Sequence, residues 1–111
     1  MADDILQNNK KILMFGAGVI GQITVPEILK KYDLIQYLDS YIDNNSEKWK
    51  YPIVLDNREY KIKSPAYLTE CDKNTTILIN ISRFFEVKAQ LENMKCTEKY
   101  DSLYYANDVH P

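Results

Sequence analysis

The chain has 111 residues, 45% hydrophobic and 27% charged, the balance of one globular domain large enough to bury a core without staples. A net charge of −2 and a pI near 5.4 argue against a nucleic-acid binder, which presents a basic face. The longest apolar run, Ile12 to Gly21, is too short to cross a bilayer, so no membrane insertion is expected. The opening Met1-Ala2-Asp3-Asp4 is acidic where a signal peptide is basic. Cys71 and Cys96 form no CxxC pair, and His110 is the sole histidine. A reduced, cytoplasmic chain without a metal site is therefore expected.

In chain order, Lys11–Phe15 is a short apolar run that stops at glycine, as a buried strand does. From Gly18 onward Ile20, Ile23 and Ile28 recur at helical spacing, with Leu29 and Tyr32 adding to the face and Lys30-Lys31 suiting the last turn. Pro26 removes the bond to the Gln22 carbonyl and disfavours a helical Val25, so a kink is predicted there. Ser40–Asp43 reads as a strand running into an Asn44-Asn45 turn, while Leu34–Leu38 fits either an earlier strand or a connecting turn. Ser46–Trp49 is a polar turn with one large anchor. Pro52–Leu55 and Tyr60–Ile62 are short extended pieces, and Ser64-Pro65 starts a short helix. Thr75–Ile81 is the clearest strand, rich in β-branched residues. Ser82 can cap a following helix with the face Phe84, Val87, Leu91, Met94, and Leu103–Ala106 is a last strand. This alternation predicts an α/β fold: a Rossmann-like three-layer sandwich with a mainly parallel sheet in the order 3-2-1-4-5.

Glycine is scarce and clustered. The chain holds three, where average usage of about 7% would give about eight, and all fall in Gly16-Ala17-Gly18-Val19-Ile20-Gly21. Random placement would produce this GxGxxG grouping in about one chain in two thousand of this composition. With a strand before it and a helix after it, the pattern points to a diphosphate cradle. Gly16 allows the tight turn, Gly18 lets phosphate approach the backbone, and Gly21 permits close packing. No GK[ST] sequence follows, which excludes a Walker-type loop. An acid about 20 residues on should meet the ribose hydroxyls. Asp43 (43 − 21 = 22 residues after Gly21) is favoured over Asp39, with Asn44 beside it. A carboxylate there predicts NAD over NADP on charge grounds. Asp43 can instead bond its own backbone in an Asx turn. Ser82 and Arg83 follow the strong strand at the carboxyl edge. Ser82 reads as a ligand neighbour or an N-cap, Arg83 as a phosphate partner or a solvated surface arginine.

The stretches Ile12–Gly21 and Tyr41-Ile42-Asp43-Asn44-Asn45-Ser46-Glu47-Lys48-Trp49 resemble the Rossmann-like N-terminal domains of bacterial surface-polysaccharide enzymes. These are the nucleotide-sugar 4,6-dehydratases and the hexapeptide-repeat sugar acetyltransferases. Pro52-Ile53, Ser64–Leu68 and Ile77–Leu91 sit at matching places. The resemblance implies a nucleotide, NAD or nucleotide-sugar held at Gly16–Gly21 and Asp43, with catalysis elsewhere in a larger protein. Val19-Ile20 stands where the acetyltransferases carry a histidine, so the resemblance does not extend to histidine-dependent acetyl transfer. The chain stops soon after its last strand, so residues 1–111 are expected to be one domain, the N-terminal part of a longer protein. The partners expected are a small-molecule nucleotide and either a second copy or a C-terminal catalytic domain. The alternative expectation is a structural or oligomerisation module that keeps the fold without a ligand.

Overall fold

A computed structural model describes residues 11–70, 74–81, 83–94 and 102–105. Strand β1 is Lys11–Phe15, and a π-helical turn, Ile20–Thr24, leads into helix α1, Val25–Lys31. A 3₁₀ turn at Ile35–Tyr37 precedes β2, Leu38–Ile42, and another spans Ser46–Lys50. The hairpin β3 (Ile53–Leu55) and β4 (Arg58–Tyr60) is followed by β5, Ile62–Lys63, and a 3₁₀ turn at Pro65–Glu70. Then come β6 (Thr75–Ile79), helix α2 (Phe84–Asn93) and β7 (Ser102–Tyr105). The main sheet has the order β5-β2-β1-β6-β7, and each of its neighbouring pairs is parallel.

The central strand explains the layering. Ile12 and Met14 point into one core with Val25 and Leu29 of α1; Leu13 and Phe15 point into another with Val87 and Leu91 of α2. All four β1 side chains are fully buried, so the strand needs a covering layer on each face. β6 alternates the same way, with Leu78 on the α1 side and Ile77 and Ile79 on the α2 side. Phe84 and Met94 pack at the margin of the α2 core, completing the face read from the sequence.

The first helix departs from its predicted face. Ile20 and Ile23 are exposed, and the residues turned inward are Gly21, Val25, Pro26 and Leu29. The cause is the π turn. The Val25 N–H bonds the Ile20 carbonyl, five residues back, and the wider turn rotates the face. Val25 itself is helical at φ −68°, ψ −41°. In this register the carbonyl that Pro26 leaves without a donor is that of Gly21, not Gln22. The Tyr41 hydroxyl, from buried β2, donates to that Gly21 carbonyl at 2.6 Å. The predicted kink is thus replaced by a π turn with its spare carbonyl capped from the sheet.

Helix α1 ends in a Schellman arrangement: the Leu34 N–H bonds the Leu29 carbonyl at 2.7 Å and the Asp33 N–H bonds the Lys30 carbonyl at 3.2 Å. Asp33 takes the left-handed position at φ 57°. The β3–β4 turn uses Asp56 (φ 49°) and Asn57 (φ 68°), the two left-handed residues of a type I′ hairpin. The expected helix after Ser64 is the 3₁₀ turn, entered by a bond from the Tyr67 N–H to the Ser64 carbonyl. The expected cap Ser82, together with Cys71, Cys96, Ala106 and His110, lies outside the described residues.

Candidate functional site

The chain leaves β1, forms β2 on one side of it and later returns as β6 on the other. Such a reversal opens a crevice at the carboxyl ends of the strands, and the Gly16–Gly21 bend lies there. A cleft of about 450 Å³ is lined by Gly16, Gly18, Val19, Ile20, Asp43, Lys48, Asn80 and Ile81.

The three glycines have different reasons to be glycine. Gly16 sits at φ +119°, and a Cβ on it would collide with the Asn80 side chain and meet Ile81 Cγ1 at 2.9 Å. A Cβ on Gly21 would collide with the Gly16 carbonyl oxygen and meet Asn80 Nδ2 at 2.6 Å. Both residues therefore close the bend against itself and against Asn80. Gly18 is different: among the described residues a Cβ there has nothing within 4 Å, and its φ lies outside the left-handed region.

The bend is held from three directions. The Gly16 N–H donates to the Ile42 carbonyl at 2.7 Å, extending the β1–β2 ladder by one bond. The Asn80 Nδ2 donates to the Gly16 carbonyl at 2.8 Å; Asn80 is only 7% exposed, and its own N–H continues the ladder to Phe15. The Gln22 side chain donates to the Ala17 carbonyl at 2.8 Å. The N–H groups of Gly18 and Val19, at the open end, have no acceptor among the described residues, as befits the first turn of a helix.

Asp43 carries more bonds than any other side chain at the cleft. Its Oδ2 accepts from the Ala17 N–H at 2.9 Å, tying the end of β2 to the bend. Its Oδ1 accepts from the Asn45 N–H at 2.8 Å, the Asx turn that an Asp-Asn-Asn sequence favours. Its backbone carbonyl accepts from the Trp49 indole N–H at 2.8 Å. Asp39, the other acid considered, accepts from the Ser40 hydroxyl instead.

Other residues singled out from the sequence lie elsewhere. The Asn44 amide exchanges two hydrogen bonds with Gln90 of α2, at 3.0 and 2.9 Å, clasping the β2 loop to that helix. Arg83 is exposed, occupies the N-terminal boundary of α2 and lies 3.7 Å from Glu86. Neither lines the cleft. Lys48, Asn80 and Ile81 do, and sequence reading passed over them. Only the strand order brings Asn80 beside Gly16, 64 residues away. In the sequence Lys48 belongs to a polar turn and to the stretch that carries the resemblance, with no ligand contact assigned to it.

No family model, curated protein or solved structure matches this chain. Its chemistry rests on its own geometry. The cleft offers backbone amides with no acceptor among the described residues, one lysine, a buried amide and a carboxylate already engaged by two N–H groups. Among the described residues no group of three or more His, Cys, Asp or Glu could hold a metal ion.

Proposed function

We propose that this domain binds a nucleotide, NAD or a nucleotide-sugar, with the diphosphate on the Gly16–Gly21 bend. Gly18 carries the reading. Gly16 and Gly21 are accounted for by packing and backbone angle, whereas no packing contact among the described residues and no φ requirement explains a glycine at position 18. A missing side chain facing a cleft beside unbonded amides is what a close-approaching phosphate requires. Counting only the strands of the main sheet, its order reads 3-2-1-4-5, which supports the Rossmann-like assignment and the placing of ligand at the carboxyl edge. The Ile12–Gly21 and Tyr41–Trp49 resemblance supports a module of a sugar or surface-polysaccharide pathway protein. We assign the domain alone no chemical step.

Calorimetric titration with NAD, NADP, AMP and UDP-sugars tests the reading. Saturable binding of one of these, lost in Gly18→Val with the fold intact by circular dichroism, is the expected result. Silence across the whole panel removes it.

A second reading, assembly without a ligand, is favoured by one observation. Val19 is 72% exposed, Ile23 61% and Phe85 80%, large apolar side chains that a second copy could cover. Sedimentation of the wild type against Ile23→Lys and Phe85→Lys decides it: a dimer that both changes dissolve supports assembly, and a monomer throughout dismisses it.

A further inference from the structure

The turn Ser46–Lys50 places a cation in the cleft that Asp43 also lines. The Asn45 side chain accepts from the Glu47 N–H at 3.1 Å and caps the turn, and the Trp49 indole anchors it to the Asp43 carbonyl at 2.8 Å. Within the turn Glu47 and Lys50 pair at 2.8 Å, so the only acid it contains is already matched. Lys48 is left. It lines the cleft beside Asp43, and no carboxylate among the described residues lies within ion-pair range of it.

Asp43, meanwhile, is committed. Each carboxylate oxygen accepts a backbone N–H, one from the bend and one from its own turn. A ribose 2′-hydroxyl would have to share an acceptor that already holds the site together. Each oxygen keeps a second lone pair, but two N–H donors already offset the Asp43 charge, and the only cation among the described residues that line the cleft is the Lys48 ammonium, a compact charge that suits a phosphate better than a hydroxyl.

On this basis we infer that Lys48 selects a nucleotide bearing a phosphomonoester on its adenosine ribose, as in NADP, over one with a free hydroxyl there. The inference rests on the nucleotide reading of the cleft and reverses the preference for NAD that the presence of Asp43 predicts from sequence. Lys48 is a specificity residue in it. The Gly18 and Val19 amides hold the diphosphate common to both dinucleotides.

Calorimetric titration of the full chain with NADP and with NAD, at low and moderate salt, tests it. NADP is expected to bind about tenfold tighter than NAD, the equivalent of one charge-assisted contact. Lys48→Met should level the two by weakening NADP alone, and Lys48→Arg should restore the difference. The excess affinity for NADP should shrink as salt rises. Lys48 is exposed, so unchanged thermal melting is expected of both variants and serves as the fold control. NAD binding as tightly as NADP, or a preference that survives Lys48→Met, overturns the inference while leaving the nucleotide reading standing. Failure of both dinucleotides and of the UDP-sugars overturns the nucleotide reading and this inference with it.

Discussion

The bend at Gly16–Gly21 and the turns at Asp33 and Asp56-Asn57 meet a similar backbone demand with different residues. Gly16 sits at φ +119°, and Asp33, Asp56 and Asn57 at 57°, 49° and 68°. All four lie where L side chains are disfavoured, yet three are Asp or Asn. At the hairpin and the helix end only the backbone angle is demanded, and a short polar side chain tolerates it. At the bend two stretches of backbone and the Asn80 amide crowd together, and there is no room for a Cβ at positions 16 and 21. Glycine in this chain is used for space more than for angle, and that makes position 18, where space is plentiful, the anomaly.

The sharpest way to break this comparison is to fill the crowded positions. Gly16→Ala combines left-handed strain with a collision and should cost about 3 kcal/mol or more. Gly21→Ala, which meets the collision without the strain, should cost about 2 kcal/mol, both read from urea unfolding midpoints. If either is tolerated within experimental scatter, the crowding account is wrong.

Next comes the bond that secures the π turn. Tyr41→Phe leaves the buried Gly21 carbonyl without its donor and should cost about 1–3 kcal/mol. Burial, with the neighbouring Tyr60 adding to it, holds the Tyr41 phenol well above its ordinary value of 10.0. A raised native value means that the folded state keeps a proton which the unfolded state releases. This contribution to stability is therefore whole below pH 10 and lost as pH rises toward the folded value. Unfolding measured from pH 9 upward should fall more steeply for the wild type than for Tyr41→Phe.

Smaller effects sharpen the comparison from the other side. Asn57→Ala should cost about 1 kcal/mol for the left-handed angle, and Asn57→Gly should change stability by only a few tenths (~0.3 kcal/mol). Gly18→Ala should be neutral or should stabilise by about 0.5 kcal/mol, because its angle accommodates a side chain and its surroundings are open. A large loss in Gly18→Ala would mean that position 18 serves the fold after all.

Much of the sheet was legible from the chain. The runs Lys11–Phe15 and Thr75–Ile79 are apolar on both faces because they lie in the middle of the sheet, and such strands declare themselves without alternation. The face of α2 was equally plain, since Val87 and Leu91 follow a regular helical period. The face of the first helix was not. Ile20 and Ile23 fit the ordinary period, but the π turn ahead of Pro26 shifts it, and the donor that permits this shift, Tyr41, comes from a different strand. At the site, the bend and Asp43 were visible because both are local motifs. Asn80 and Lys48 were not, because their meaning depends on which strands become neighbours. Asn44 illustrates the converse: adjacent to Asp43 in sequence, it is turned by the fold toward Gln90.

The three bonds that Asp43 accepts constrain how this site can change. A substitution there would release Ala17, undo the Asx turn and disturb the carbonyl that seats Trp49. Loss of binding in such a variant would report a collapsed doorway as readily as a missing contact. On the proposed nucleotide reading, a change of ligand preference is expected to enter first through exposed Lys48 of the Ser46–Lys50 turn, which can vary while the Trp49 anchor stays fixed.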